Sequence, residues 1–348
     1  MFKHLQILFI ITVLVSTTVW GQKTRDPFDQ SNPTAPAQDQ VPERSEPQDR
    51  AYIGDTKPGR KPNTGRKSAK NTKTIVSPPS TLTWPDGAGR FAIIIGVNDY
   101  QSEQINDLKA AVNDARLLAK TLAQNAGFEP DHIKLLTTDQ GSEGQPTQGT
   151  ILEKTSNFVS GMPRQGLLLF FFAGHGVVNE GKAYLLPSDA RMGSAALLKK
   201  TAISLEDIRN EVNQAGIEQV MFILDACRND PSAGARGNVD NLLSDDFSRG
   251  LDFRDAAFFD NKNRGIKAFV TLYATGKGQR AYEDSAKAQG YFTLAIAEAL
   301  TGQGNNITNQ KGEVTLGNLL SYVQHKVAER VKLDTGKDQV PFYDVSEG

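Results

Sequence analysis

Two apolar runs constrain this chain most. "GLLLFFFA", Gly166 to Ala173, and "VMFIL", Val220 to Leu224, are hydrophobic without alternation. A strand that faces water on one side alternates apolar and polar residues; one that does not is covered on both faces, as in a parallel sheet between helix layers. The neighbouring segments agree. "RFAIIIGV" from Arg90 and "HIKLLT" from His132 read as two earlier strands, and "IKAFVTLYA" from Ile266 as a fifth. A short pair surrounds "KAYLLP", and "QVPFYDV" from Gln339 reads as a last short strand.

Between them the period changes from 2 to 3.6. In "INDLKAAVNDARLLAKTLAQN", Leu108, Ala111, Val112, Ala115, Leu118 and Leu122 fall on one helical face. "ILEKTSNFVS" repeats that spacing through Leu152, Thr155, Phe158 and Val159. Further helices are expected at about 204–215 with Ser204 as cap, at 291–301 and at 316–332. Strand and helix in alternation predict an α/β fold, a largely parallel sheet with helices on both faces.

The first 85 residues do not join this pattern. Residues 1–21 carry Lys3 and His4, an apolar stretch from Leu5 to Val19, and small residues before Gln22. They read as a cleaved signal peptide, with an uncleaved membrane anchor as the alternative. Export to the periplasm or beyond is the expected localisation, and a membrane partner is expected only if the segment stays attached. Nine of the 16 prolines lie between Gln22 and Ser80, and seven Lys or Arg with no acid lie between Lys57 and Lys73. Such a stretch cannot bury enough apolar surface to fold and reads as a disordered linker or prosegment. The folded domain is expected over 86–348, with a long polar loop at 229–265. A formal net charge of −1 gives no reason to expect nucleic acid as a partner.

The chain has one cysteine, Cys227, so no internal disulfide can form. It stands in "DACRND" where the fourth strand ends, as His175 stands between two glycines in "AGHGVV" where the third ends. Ligands of open α/β sheets bind beyond the carboxyl ends of the strands. A thiol and an imidazole at adjacent strand ends make a nucleophile with its acid–base. Backbone N–H groups of Gly176 and Cys227 are the candidate oxyanion donors. The glycines are expected to let the chain turn sharply and approach a substrate.

Five motifs in order, "FAIIIGVNDY", "LKAAVNDARLLAKTL", "LLLFFFAGHGVV", "VMFILDACRND" and "YATGKGQRAYED", resemble the bacterial caspase-like peptidases, relatives of metacaspases and orthocaspases. A histidine about 50 residues ahead of the cysteine fits that family. The resemblance covers about residues 90–345 and implies a caspase-like fold: a six-stranded, mostly parallel sheet between helices. It implies a His175–Cys227 dyad hydrolysing peptide bonds in protein or peptide substrates. Asp114 and Asp225 match the metacaspase acids that line the pocket for an Arg or Lys before the cut. Ala173 stands where relatives often carry Ser, so a pocket hydroxyl is expected to be missing, and Tyr273 is a candidate for a neighbouring subsite.

Some relatives need calcium. Asp189 is the one acid near such a site, without a matching ligand set, so no metal or other cofactor is expected. Relatives can be cut within the segment that matches 229–265, which suggests self-cleavage after one of its arginines or within the basic linker. The rival reading is an inactive caspase-like module that binds peptides or partners; a further possibility is acyl transfer to an amine.

Overall fold

The computed structural model describes residues 10–11, 88–180, 182–227, 268–276, 280–302, 307–309 and 314–347. The chain divides into two compact units, residues 1–29 with 79–348 and residues 30–78. The second unit lies outside the described residues. So do the 229–265 loop and, Ile10 and Ile11 excepted, the expected signal and linker.

The strands are β1 (Ile10–Ile11), β2 (Arg90–Gly96), β3 (Ile133–Thr137), β4 (Leu167–Asn179), β5 (Lys182–Leu185), β6 (Ile203–Ser204), β7 (Gln219–Cys227), β8 (Ala268–Tyr273), β9 (Glu283–Asp284), β10 (Gln289–Gly290), β11 (Val314–Thr315) and β12 (Phe342–Glu347). The helices are α1 (Ala111–Asn125), α2 (Gln148–Ser160), α3 (Ala195–Thr201), α4 (Leu205–Gln214), α5 (Tyr291–Leu300) and α6 (Leu316–Thr335).

Six strands form the sheet in the order β12-β8-β7-β4-β2-β3. All neighbours are parallel except β12 against β8. The sheet counts eight strands rather than the expected six, because β4 runs on past β2 and takes β5 as an antiparallel partner, and β5 in turn pairs with β6. Two small pairs stand apart, β1 with β11 and β9 with β10.

Helices cover both faces. Leu167, Leu169, Phe171, Met221 and Ile223 pack towards α1, α5 and α6. Leu168, Phe170, Phe172, Val220, Phe222 and Leu224 pack towards α2 and α4. The non-alternating runs therefore do what their composition requires, filling two cores from one strand. Ser204 caps α4 as expected, its hydroxyl accepting from the Glu206 N–H. Thr147 and Thr315 do the same for α2 and α6, each leaving one fewer bare amide at its helix start.

One boundary differs in a way that matters. The apolar spacing suggests a helix from Ile105, but α1 begins at Ala111. Asn98 decides this: its side-chain oxygen accepts from Val112 N–H at 3.2 Å, and its carbonyl accepts from Leu108 N–H. Asp107 Oδ1 takes the Tyr100 N–H at 2.9 Å. Residues 98–110 are thus held as a loop over the ends of β2 and β4.

Candidate active site

The sheet ends its middle strands together. β4 and β7 pair in register from Leu167↔Gln219 to His175↔Cys227, so the backbones at His175 and Cys227 are neighbours. Strand alternation assigns Ala173, His175 and Asp225 to the face that carries α1, α5 and α6. Sequence reasoning expected both reactive residues just past the strands; they are their last paired steps on β7 and near the end of β4.

The glycines beside His175 do not make a turn. Neither has a positive φ, and the chain stays extended through both. Gly174 is needed for space instead. A Cβ there would lie 2.8 Å from the Phe172 ring and 3.1 Å from the Tyr100 hydroxyl. That hydroxyl accepts from the His175 N–H at 2.8 Å, on the edge that β2 leaves when it ends opposite Ala173. The His175 carbonyl accepts from Leu186 N–H on the same side. Gly176 and Leu185 consequently form a pair that exchanges no hydrogen bond, and the Gly176 N–H points the other way, towards the β7 side.

The imidazole of His175 is buried, with 5% exposure. Its Nε2 lies 2.8 Å from the Asn106 carbonyl oxygen. A carbonyl can only accept, so Nε2 carries the proton and Nδ1 is left with a lone pair. Nδ1 is buried without a partner among the described residues. Burial lowers the pKa of this histidine; the Asn106 contact and the charge of Asp107 oppose that in part. At neutral pH the ring is uncharged and its free nitrogen is a base.

Two carboxylates converge below. Asp114, in the first turn of α1, has 3% exposure and accepts from Gly290 N–H at 2.9 and 3.1 Å. Asp225 is crowded by protein atoms yet keeps some surface open to water, which is the condition of a residue lining a concavity. Its Oδ2 accepts from Thr293 Oγ1 at 3.0 Å. A Cβ on Gly290 would come within 3.0 Å of Asp225 Oδ2 and 3.1 Å of Asp114 Oδ2. The two acids therefore face each other across one glycine.

Burial raises the pKa of Asp225 to about 6, against the opposing pull of the Thr293 hydroxyl. Burial also raises Asp114 well above its ordinary value; the charge of Asp225 adds to this and the Gly290 N–H works against it. Glu283, exposed on β9 opposite Gly290, raises both acids further. Its own pKa is raised by partial burial and drawn back by Lys109. Among the described residues no cation pairs with either Asp114 or Asp225, and repulsion within the group is relieved when a cation enters.

The sequence singled out Asp114, Asp225, His175, Gly176 and Cys227, and the fold brings all five positions to one end of the sheet. It missed Glu283 and Thr293. Thr293 brings a hydroxyl from α5 to the Asp225 carboxylate, and nothing in a helix start marks that role. One expectation is corrected, and Asp189, the lone acid weighed for calcium, is given a local partner. Tyr273 has 2% exposure and stacks on Phe342 at 5.4 Å, so it packs the opposite core and lines no subsite. Asp189 Oδ1 accepts from Gln148 N–H at 2.8 Å at the start of α2, a capping role. No three His, Cys, Asp or Glu among the described residues are placed to hold a metal ion. Among them, too, no helix is long and apolar enough to cross a membrane.

A family model described as the caspase domain matches residues 89–347. Metacaspase-1 of Yarrowia lipolytica is 37% identical over 86 residues, which cover 24% of this chain and 18% of that protein. A probable protease of a Desulfuromonadales bacterium is 25% identical over 272 residues, 72% of this chain and 31% of the relative. The matched stretch is thus less than a third of either relative's length. Among solved structures, caspase-1 from Spodoptera frugiperda aligns with a TM-score of 0.44 and 13% identity, covering 74% of this chain and 86% of that one.

Proposed function

The chain belongs to the caspase-domain family of cysteine peptidases, and from that premise we propose that it cleaves peptide bonds after Arg or Lys, with Cys227 as nucleophile and His175 as acid–base. The thiol proton passes to His175 Nδ1, and the thiolate attacks the scissile carbonyl carbon. The N–H groups of Gly176 and Cys227 receive the oxyanion. Each such donor is worth about 3 kcal/mol of barrier. The protonated imidazole then gives its proton to the leaving amine as the C–N bond breaks, leaving a thioester. Water, deprotonated by His175, attacks that thioester, and the thiol is restored.

The observation that carries the specificity is the convergence of Asp114 and Asp225 on Gly290. Asp225 lies two residues before Cys227 on β7, roughly 7 Å along the strand. That is a span suited to a side chain entering from a backbone held at the dyad. A guanidinium there relieves the repulsion between buried acids and can pair in bidentate fashion. A substrate carboxylate would add to the repulsion and is rejected by the same groups. The mechanism has no step that needs a metal, and chelator is expected to leave the rate unchanged.

Short fluorogenic peptides ending in Arg, Lys or Asp, assayed under reducing conditions with and without chelator, test this. Release after Arg and Lys, abolished in Cys227→Ala, is the expected result. Faster release after Asp would overturn the pocket assignment, and no release from any peptide would leave a binding module. Export of the protein after removal of residues 1–21 and self-cleavage within 229–265 belong to the same proposal. Intact masses of the purified protein and its Cys227→Ala variant that agree with each other would dispose of self-cleavage.

A further inference from the structure

Asn113 and Asp114 are adjacent in the first turn of α1, yet both side chains reach the same short hairpin. Asp114 takes the Gly290 N–H; Asn113 Nδ2 donates to the Ala288 carbonyl oxygen at 3.0 Å. The hairpin needs holding. β9 and β10 pair through two steps only, Gln289↔Asp284 and Gly290↔Glu283, too few to stand alone. Ala288, which leads into β10, has φ 49°, a left-handed conformation that an alanine does not adopt unaided. Such a residue persists where its surroundings impose it. The Asp284 carboxylate closes the turn ahead of it by accepting from Ala286 and Lys287 N–H. Asn113 is the side chain that fixes the strained residue itself to α1.

That hairpin carries what completes the acidic site. Gly290 supplies the amide on Asp114 and the gap between the two carboxylates, and Glu283 stands across from it as the third acid. The geometry points to Asn113 as a specificity-determining positioning residue: by tying the Ala288 carbonyl to α1, it holds Gly290 and Glu283 against Asp114 and so shapes the site for a basic side chain. This rests on the basic specificity proposed above. The side-chain hydrogen bond of Asn113 goes to the hairpin backbone and not, among the described residues, to His175 or a carboxylate, so its influence falls on substrate binding and not on bond breaking.

The test compares Asn113→Ala, Ala288→Gly and the double variant. Asn113 is exposed, and Asn113→Ala should melt close to wild type. Its KM for an Arg-ending peptide should rise about fivefold to tenfold with kcat within about twofold. Ala288→Gly alone should change neither constant by more than about twofold. Glycine adopts the left-handed conformation without penalty, so adding Ala288→Gly to Asn113→Ala should bring KM most of the way back. An unchanged KM, a fall confined to kcat, or no rescue by glycine would each overturn the proposal. Hydrogen exchange of the 283–290 peptide in the free protein gives a readout independent of turnover. It should quicken in Asn113→Ala and slow again in the double variant. Were wild type to cleave no basic peptide, the specificity reading would fall while exchange still decided whether Asn113 holds the hairpin; equal exchange in wild type and Asn113→Ala would sink that.

Discussion

Along β4, Leu168, Phe170 and Phe172 point to one face of the sheet and Leu167, Leu169, Phe171 and Ala173 to the other. Along β7, Val220, Phe222, Leu224 and Ala226 share the first face, and Met221 and Ile223 the second. The two faces are alike through most of their length and differ at the carboxyl end. The first stays apolar to its last residue. The second gives way to Asp225, with His175 and Cys227 at the final paired step. One set of strands thus builds a dry core on one side and, on the other, a core that opens into a charged site. The first face secures the strand positions, and the second uses them.

The largest expected effect tests the dry face. Phe222 is fully buried between Phe170 and Phe269, with ring centroids 5.1 and 5.0 Å away. Phe222→Ala should cost about 3–5 kcal/mol of stability. Under conditions where the variant remains folded, its preference for Arg over Asp peptides should be unchanged. Denaturant unfolding and the peptide panel measure the two; a changed preference would show that the faces are not separable.

Asp225→Asn should do the reverse. It should lower kcat/KM for Arg peptides by about 100-fold, roughly 2–3 kcal/mol, since one of the paired charges is gone. Stability at pH 7 should rise, because the folded-state pKa of Asp225 is raised. The penalty on its ionised form is absent below the ordinary carboxylate range, builds as pH climbs to about 6, and is complete above it. Asparagine retains an oxygen for Thr293. A variant less stable than wild type at pH 7 would mean that Asp225 is paired in solution.

A smaller effect follows from the same acids. Between pH 7 and pH 5, kcat/KM for Arg peptides should fall about tenfold as Asp225 takes up a proton near pH 6. Asp114 and Glu283 are raised as well and steepen the decline, while Thr293, Gly290 and Lys109 favour the ionised site. His175 is lowered by burial, so its own protonation comes at a lower pH than that of an ordinary histidine. Asp225→Asn should flatten this limb; an unaltered profile would assign it to the histidine.

Much of this division was legible in the sequence because period and composition report burial. Unbroken apolar runs revealed the two-sided strands, and Asp225 and Cys227 stood out as the polar positions ending one of them. The loop at 98–110 was not legible: Leu108 continues the helical spacing, and the long-range bonds of Asn98 override it. Glu283 and Thr293 escaped for a related reason. They join the site through β9 and the start of α5, more than 50 residues after Cys227, and their roles depend on where those elements dock. Sequence period predicts which face a residue occupies, whereas a site assembled across elements depends on tertiary contacts.

The smallest expected effect sits where the two faces meet. β2 ends opposite Ala173, so the next inward amide of β4, at His175, loses its strand partner. The Tyr100 hydroxyl takes it, and the ring lies against the imidazole with centroids 5.2 Å apart. Tyr100→Phe keeps the ring and removes the acceptor. An unpaired buried N–H is costly enough for the segment to shift, and a shift of a few tenths of an ångström moves Nδ1 relative to the thiol. We expect kcat to fall about fivefold, close to 1 kcal/mol, with KM unchanged. The His175 titration, followed by NMR and assigned with a His175→Ala variant, should move up towards the ordinary histidine value as the ring gains access to water. A fall in stability with kcat and the titration both unchanged would make Tyr100 a packing residue of the dry core.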